Sequence, residues 1–326
     1  MSAMPQAVRI HQTGGPEVLK YESVDVGEPG PGEVRLRHTA IGLNFIDVYE
    51  RTGLYQLPLP SVLGKEAAGV IEAIGPKVKG FSIGDRVAYT GGPSGAYSQE
   101  RVLAADRLVR LPDGIDDRQA AAIMLKGLTA QFLLRRTYRV RKSDIVVIHA
   151  AAGGVGSIAV QWAKHLGAVV IAIVGSEAKA DLVRGYGADH ALLTSDDWLA
   201  QVKAITKGKG VHVVYDSIGK DTFFNSLDCL RPRGMMVTYG NASGPVPPVA
   251  PLELQKRGSL FLTRPTLFHY IATRGELEKA AQELFDVVKR KIVTVNVGQT
   301  YPLSEVAQAH RDLEGRRTTG STVLLP

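Results

Sequence analysis

The sequence predicts an α/β fold: a doubly wound parallel sheet inserted in a mostly-β domain that is made from both ends of the chain. Three observations lead there. Short strands broken by turn signals fill residues 1 to about 110, continuous apolar strands alternating with helix-length segments follow from 145, and a small-residue turn closes the first of those strands. With 326 residues, 44% hydrophobic and 22% charged, the chain holds enough apolar material for two ordinary cores.

In the first part, turn signals stand at Gly14-Gly15-Pro16, at Gly27 to Gly32, at Gly84-Asp85 and at Gly91-Gly92-Pro93, a spacing that suits an all-β barrel or sandwich. Val34-Arg35-Leu36-Arg37 alternates apolar and basic residues, and Val70 to Ile74 runs into Gly75-Pro76, as strands do. From Gln119 to Arg135 an Ala- and Leu-rich stretch takes on helical periodicity. Apolar runs at 145–149, 169–174, 189–193, 211–215 and 234–238 are then separated by helix-length segments, the rhythm of a parallel sheet covered on both faces. Amphipathic helices are expected near Glu276 to Lys289 and Ser304 to Leu313, and a last strand at Ser321 to Leu325. These tail elements do not extend the series, so they belong with the first part. The expected domains are 1–125, 126–264 and 265–326, the last completing the first.

The segment Ile145 to Gln161 reads as buried strand, turn and helix start, with Ala151-Ala152-Gly153-Gly154-Val155-Gly156 at the turn. Ala151 replaces the first glycine of the usual dinucleotide fingerprint. Gly153 lets the backbone approach a pyrophosphate, Gly156 lets the helix pack on the strand, and the free amides of the helix start hold the anion. A structural strand-to-helix turn is the other reading, and the place of this turn at the first strand of a βαβ series favours the dinucleotide. At the end of the second strand, where an acid would bind a ribose 2′-hydroxyl, the chain has Gly175-Ser176, followed by Glu177 and Lys179. Glu177 is explained by the first turn of a helix. Lys179 is close enough in sequence to meet a 2′-phosphate, or is an ordinary solvated lysine.

Catalytic zinc needs three ligands of the Cys, His or carboxylate type. One cysteine, Cys229, and eight scattered histidines offer no such spacing, and no metal is expected. The N-terminal MSAMPQAVRI has no export pattern, no apolar stretch reaches spanning length, and a lone cysteine fits a reducing compartment, so a cytoplasmic protein is expected. The net charge of +7 fits anionic ligands or a solvated basic surface. Arg135, Arg136, Arg139, Arg141 and Lys142, with only Tyr138 interleaved, leave a nucleic-acid surface open as an alternative.

Gly42-Leu43-Asn44-Phe45-Ile46-Asp47, Gly64-Lys65-Glu66-Ala67-Ala68-Gly69, Gly84-Asp85-Arg86-Val87, Lys126-Gly127-Leu128-Thr129-Ala130 and the glycine turn with Gln161 and Lys164 together resemble the quinone oxidoreductase (zeta-crystallin-like) branch of the medium-chain dehydrogenase/reductase superfamily. The resemblance runs over essentially the whole chain. It implies a GroES-like substrate domain, a Rossmann-type domain and a homodimer. Zinc-containing relatives carry a cysteine near Asn44 and a histidine at Lys65, so the resemblance is to the zinc-free branch. It further implies NADPH, with Gly153, Gly154, Val155 and Gly156 at the pyrophosphate and Gly175, Ser176, Lys179 and Arg316 at the 2′-phosphate, where some relatives have a tyrosine in place of Thr194. Asn44, Tyr49, Lys126 and Thr129 would border the nicotinamide, and Gly219, Asn241, Ser243 and Phe268 would line the cofactor cleft. Tyr55 and Arg264, with Tyr49, are candidates for the quinone, or serve as packing residues and a loop tie. Tyr49 and Asn44 are the expected catalytic pair. Reduction of alkenals or enones, or an RNA-binding or structural crystallin-like role, are the rival readings.

Overall fold

A computed structural model describes residues 4–326. In chain order the elements are β1 (Gln6–Ile10), β2 (Lys20–Ser23), β3 (Glu33–Leu43), α1 (Phe45–Thr52), β4 (Ser61–Val62), β5 (Glu66–Ile74), β6 (Arg86–Thr90), β7 (Glu100–Ala104), β8 (Leu108–Arg110) and α2 (Asp117–Phe132). Then come β9 (Ile145–His149), α3 (Gly154–His165), β10 (Val169–Val174), α4 (Glu177–Gly185), β11 (His190–Leu193), α5 (Trp198–Ile205), β12 (Val211–Asp216), α6 (Phe223–Asp228), β13 (Leu230–Thr238), α7 (Leu252–Lys256), β14 (Phe261–Thr263) and α8 (Leu267–Tyr270). The chain closes with α9 (Arg274–Lys289), β15 (Val297–Pro302), α10 (Val306–Glu314) and β16 (Ser321–Leu325). It divides into two compact units, one of residues up to 126 with 271–285 and 295–326, the other of 127–270 with 286–294.

In the first unit a seven-stranded sheet runs β15-β16-β3-β5-β6-β8 with β7 also on β3, and a small sheet runs β2-β1-β4. β3 carries the architecture. Val34, Leu36, His38 and Ala40 point inward while Arg37 is exposed and meets Glu72 at 2.6 Å, and from Ala40 to Leu43 the strand is buried on both faces. That switch from alternating to continuous burial marks where β16 and β5 flank it. Besides two single 3₁₀ turns, one α-helix departs from the all-strand reading of residues 1–110: α1, eight residues long. Its start is set by the Asp47 carboxylate, which accepts the Asn44 N–H at 2.9 Å. Its end is set by Gly53 at φ +83°, a left-handed position that glycine takes without strain.

The second unit holds a six-stranded sheet, parallel throughout, in the order β11-β10-β9-β12-β13-β14. Val146 to His149 and Val170 to Val174 are buried on both faces, as strands with helices above and below must be. The chain runs outward from β9 to β10 and β11, then returns to β12 on the other flank, so the order reverses beside β9. A doubly wound sheet binds its ligand at such a reversal. Residues 286–294 and α8 group with this unit, not with the chain ends where the sequence placed them. For 286–294 the reason is a two-way amide clamp: Gln161 Nε2 donates to the Thr294 carbonyl at 3.1 Å, and Thr294 N donates to Gln161 Oε1 at 2.8 Å. Among the described residues no helix is long and apolar enough to cross a membrane.

Candidate active site

The functional side chains fall in two groups, one in each unit. In the second unit the site is built from backbone. β9 ends at His149, Ala150 turns the chain at φ +48°, and α3 begins after Gly153, whose position carries no side-chain cap. The first N–H groups of α3 are thus left to an anion. The two glycines serve different ends. A Cβ on Gly156 would lie 2.4 Å from the Ala150 carbonyl and 2.7 Å from Ala151 Cα, so Gly156 is required by packing. A Cβ on Gly153 would meet only the Ala150 carbonyl, at 3.2 Å. Gly154 and Val155 form the first turn of the helix.

At the end of β10, Gly175 has almost open space, since a Cβ there would find only Thr194 Oγ1, at 3.9 Å. Ser176 caps α4, its hydroxyl accepting the Lys179 N–H at 3.4 Å, so Ser176 and Lys179 share one helix turn. Thr194 N–H in turn bonds the Val174 carbonyl at 2.8 Å, which brings Gly175, Ser176, Lys179 and Thr194 to one end of the sheet. Arg316, expected with them, lies past α10 in the first unit at φ +58°.

The loops after β12 and β13 are nested. Gly219 stands at φ +94°, and a Cβ there would come 2.6 Å from the Gly244 carbonyl. The Ser243 hydroxyl bonds the Ile218 carbonyl at 3.0 Å and receives the Asp221 N–H at 3.1 Å. Arg264 ties down the loop after β13: it donates to Thr238 Oγ1 at 3.2 Å, to the Gly240 carbonyl at 2.8 Å and, with the Asn241 amide turned so that its oxygen faces the guanidinium, to that oxygen at 3.1 Å. The loop-tie reading of Arg264 therefore has the geometry. Phe268 is part of α8.

Behind the turn, His149 is buried, gives Nε2 to the Ser226 hydroxyl at 2.9 Å and packs edge-on against Trp198 at 5.0 Å. Burial pushes its pKa down, as befits a packed neutral imidazole. Cys229 is likewise buried, its thiol pushed up to about 12 by burial, which makes it inert as a nucleophile.

In the first unit the site is built from side chains. Glu66, fully buried at the start of β5, accepts Lys126 Nζ at 2.7 Å and Asn44 Nδ2 at 2.8 Å on one oxygen, and the Leu125 N–H at 2.5 Å on the other. Such an ion pair is tolerable out of water only when the remaining lone pairs are used, and here they are. Space for the carboxylate comes from Gly42, its cross-strand neighbour, where a Cβ would lie 2.2 Å from Glu66 Oε1. Beside it Lys65 pairs with Glu50 at 2.7 Å, and Ser94 bonds the other Glu50 oxygen at 2.7 Å. Thr129, buried one turn further along α2 from Lys126, already belongs to the second unit.

Tyr49 is buried and its ring sits between Phe45, 6.1 Å away, and Tyr55, 5.2 Å away and edge-on. The Gly53 turn brings the two tyrosines together, with Tyr55 N–H bonded to the Tyr49 carbonyl at 3.0 Å, while Leu54, Tyr55 and Leu59 stay exposed. Glu66 was overlooked by reading motifs, although a signal was present. It is the acid at the apolar start of the strand Glu66–Ile74, and Lys126 is the lone charge in the apolar stretch 120–134; opposite charges stranded in apolar segments need one another. Among the described residues no group of three or more His, Cys, Asp or Glu is placed to hold a metal ion.

Residues 30–113 match the family described as "Alcohol dehydrogenase GroES-like domain", and residues 154–289 the family described as "Zinc-binding dehydrogenase". Fold and site thus define an oxidoreductase of the medium-chain dehydrogenase/reductase class. Quinone oxidoreductase of Pseudomonas aeruginosa is 53% identical over 99% of this chain and 100% of its own, and 2-haloacrylate reductase of a Burkholderia species is 51% identical over 99% of each. The crystal structure of Escherichia coli quinone oxidoreductase complexed with NADPH superimposes with a TM-score of 0.97 at 46% identity, covering 98% of this chain and 100% of that one. The chain belongs to the quinone oxidoreductase family.

Proposed function

We propose that the protein reduces quinones with NADPH and without a metal. The observation that carries the cofactor half is the uncapped start of α3 at the reversal point of the parallel sheet, with Gly153 leaving the backbone open to a pyrophosphate. The pocket chemistry fits the rest of the group: Gly175 leaves room, and Ser176, Lys179 and Thr194 offer a hydroxyl, an ammonium and a second hydroxyl for a 2′-phosphate. Arg316 is assigned to the same phosphate on family grounds. Gly219, Asn241, Ser243 and Phe268 line the remainder of the cofactor.

When bound, NADPH supplies the reducing equivalents. The chain's own residues position and polarise. Asn44, Lys126 and Thr129 border the nicotinamide, with Glu66 holding the first two in fixed orientation. Tyr49 and Tyr55 offer aromatic faces to a flat acceptor, and the Tyr49 hydroxyl donates to a quinone oxygen as the ring gains electron density. Metal-free action is supported by residue chemistry. The Lys65 ammonium is a donor without a lone pair and is held by Glu50, and the Asn44 amide nitrogen donates to Glu66, so neither serves as a ligand. Two large hydrophobics, Phe261 and Leu262, are exposed on β14, the outer strand of the parallel sheet, and support a homodimer, which sedimentation equilibrium of Phe261→Asp against the parent would test.

The similarity to 2-haloacrylate reductase supports reduction of an activated double bond as the second reading. The test is a panel of quinones and 2-haloacrylates assayed with NADPH and with NADH after chelator dialysis. Quinone turnover favouring NADPH, with Lys179→Ala losing roughly 10-fold or more in NADPH affinity and little in NADH affinity, is the expected result. Equal loss for both cofactors, or activity restored only by added zinc, overturns the reading.

A further inference from the structure

Asp47 belongs to neither of the groups just assigned to cofactor and acceptor, yet it is fully buried three residues from Asn44. Its Oδ2 accepts two hydrogen bonds, from Asn44 N at 2.9 Å and from the Tyr97 hydroxyl at 2.8 Å. Its Oδ1 has no hydrogen-bond partner among the described residues. Tyr97, also buried, lies 3.1 Å from His310 Nε2, and His310 Nδ1 lies 3.1 Å from Arg51 Nη1. Arg51 is buried and anchored by Glu314 at 2.7 and 2.9 Å and by the Gly14 carbonyl at 3.1 Å.

Donor accounting gives this chain a direction. A guanidinium has donors only, so Arg51 must donate to His310 Nδ1. Neutral His310 then carries its hydrogen on Nε2 and donates to the Tyr97 oxygen, which leaves the tyrosine hydrogen for Asp47. His310 is held neutral because burial and the facing Arg51 push its pKa down to about 3. All bonds along the chain thus converge on one oxygen of Asp47, and that oxygen fixes the backbone from which Asn44 reaches Glu66.

We propose that Asp47 is the positioning residue of the Asn44–Glu66–Lys126 cluster, held in place by the one-way chain from Arg51 through His310 and Tyr97. The inference rests on the reading of that cluster as part of a reductase site. It carries a pH signature. Burial, and then the Glu50 carboxylate, push the Asp47 carboxyl up to about 7, against the bonds from Tyr97 and Asn44 N–H and the charge of Lys126. Glu50 is itself neutralised by Lys65, and Lys126 by Glu66. Asp47 therefore changes charge near neutrality, and Tyr97 favours its anion.

The test compares the full-length parent, Asp47→Asn and Tyr97→Phe across about pH 5–9. The infrared carbonyl stretch of a protonated buried carboxyl follows Asp47 without reference to turnover, and kcat/KM for the acceptor at saturating NADPH follows the site. In the parent both should show one midpoint near neutrality, and in Asp47→Asn both should lose it, with kcat/KM lower by roughly 10- to 100-fold. In Tyr97→Phe both midpoints should rise together by about one unit, because the anion has lost a donor. Turnover by the parent whose pH profile both variants leave in place overturns the inference, as does an infrared midpoint that moves while the kinetic one stays. Absence of turnover by the parent with every acceptor overturns the reductase reading itself, and the inference with it. Tyr97→Phe keeps the packed ring and carries the test alone if Asp47→Asn does not fold.

Discussion

At the start of α3 the anion-binding groups are backbone N–H groups that no side chain caps, presented by a turn whose glycines keep Cβ atoms out of the way. At Glu66 the arrangement is the reverse: three donors, two of them side chains from distant elements, converge on one buried carboxylate. The first kind of site is local and stored in a few consecutive residues. The second exists only when β3, β5 and α2 have come together, and its energy is hostage to every partner. The two kinds of site therefore differ in how much the loss of a single group costs. Loss of one backbone-facing group is shared among several N–H groups, whereas loss of one charge leaves its partner stranded.

The largest effect expected from that contrast is at Glu66→Ala, which abandons the Lys126 ammonium in a dry site and should cost about 3–5 kcal/mol of stability. Glu66→Gln keeps the shape but also removes the charge, so it should cost nearly as much. Denaturant melts of the two variants check this, and a Glu66→Gln variant as stable as the parent would mean that the charge pairing is unimportant. Next comes the glycine turn. Gly156→Ala meets backbone at 2.4 Å and should lose roughly 1–3 kcal/mol, while Gly153→Ala, with one contact at 3.2 Å, should keep its stability and lose NADPH affinity. Fluorescence titration beside thermal melts separates the two, and an unstable Gly153→Ala with normal binding would reverse their roles.

The smallest effect is an acid response in the side-chain-built region. His310 has a folded pKa lowered to about 3, so between about 6.5 and 3 the unfolded chain binds more protons than the folded one. The stability from keeping it neutral is complete above the unfolded pKa and is lost as pH falls. At about pH 5.5 the loss is about 1.4 kcal/mol, so His310→Gln should gain that much on the parent between about pH 7.5 and 5.5. A constant gap between the two unfolding curves over that range would show that His310 is not held neutral.

These two regions were unequally legible before the structure. Strands β9, β10 and β12, the glycine turn and β16 could be read because each is encoded by contiguous apolar runs or consecutive small residues. Helix α1 was hidden inside a strand-like region, although Asn44 and Asp47 at the spacing of a capping box marked its start. Glu66, Asp47, Tyr97 and His310 were not legible as a set, because the long-range partners that join them lie 22 to 259 residues away and no local period records them. The attachment of 286–294 to the second unit rests on Gln161, a residue visible in the sequence whose amide clamp is not.

The pairing of β16 with β3 has a temporal consequence. The longest strand of the first unit, β3, leaves the ribosome well before its neighbour β16, with the whole parallel sheet synthesised between them. Domains fold as units during synthesis, N-terminal ones first, at ~5–20 residues per second. Here that order is inverted, since the inserted unit has every strand of its sheet before the outer one has closed its own. For many seconds the edge of β3 that β16 will cover, and the buried charges near it, wait without their cover, which makes this edge the point where a nascent chain is most open to a chaperone or to a second copy of itself.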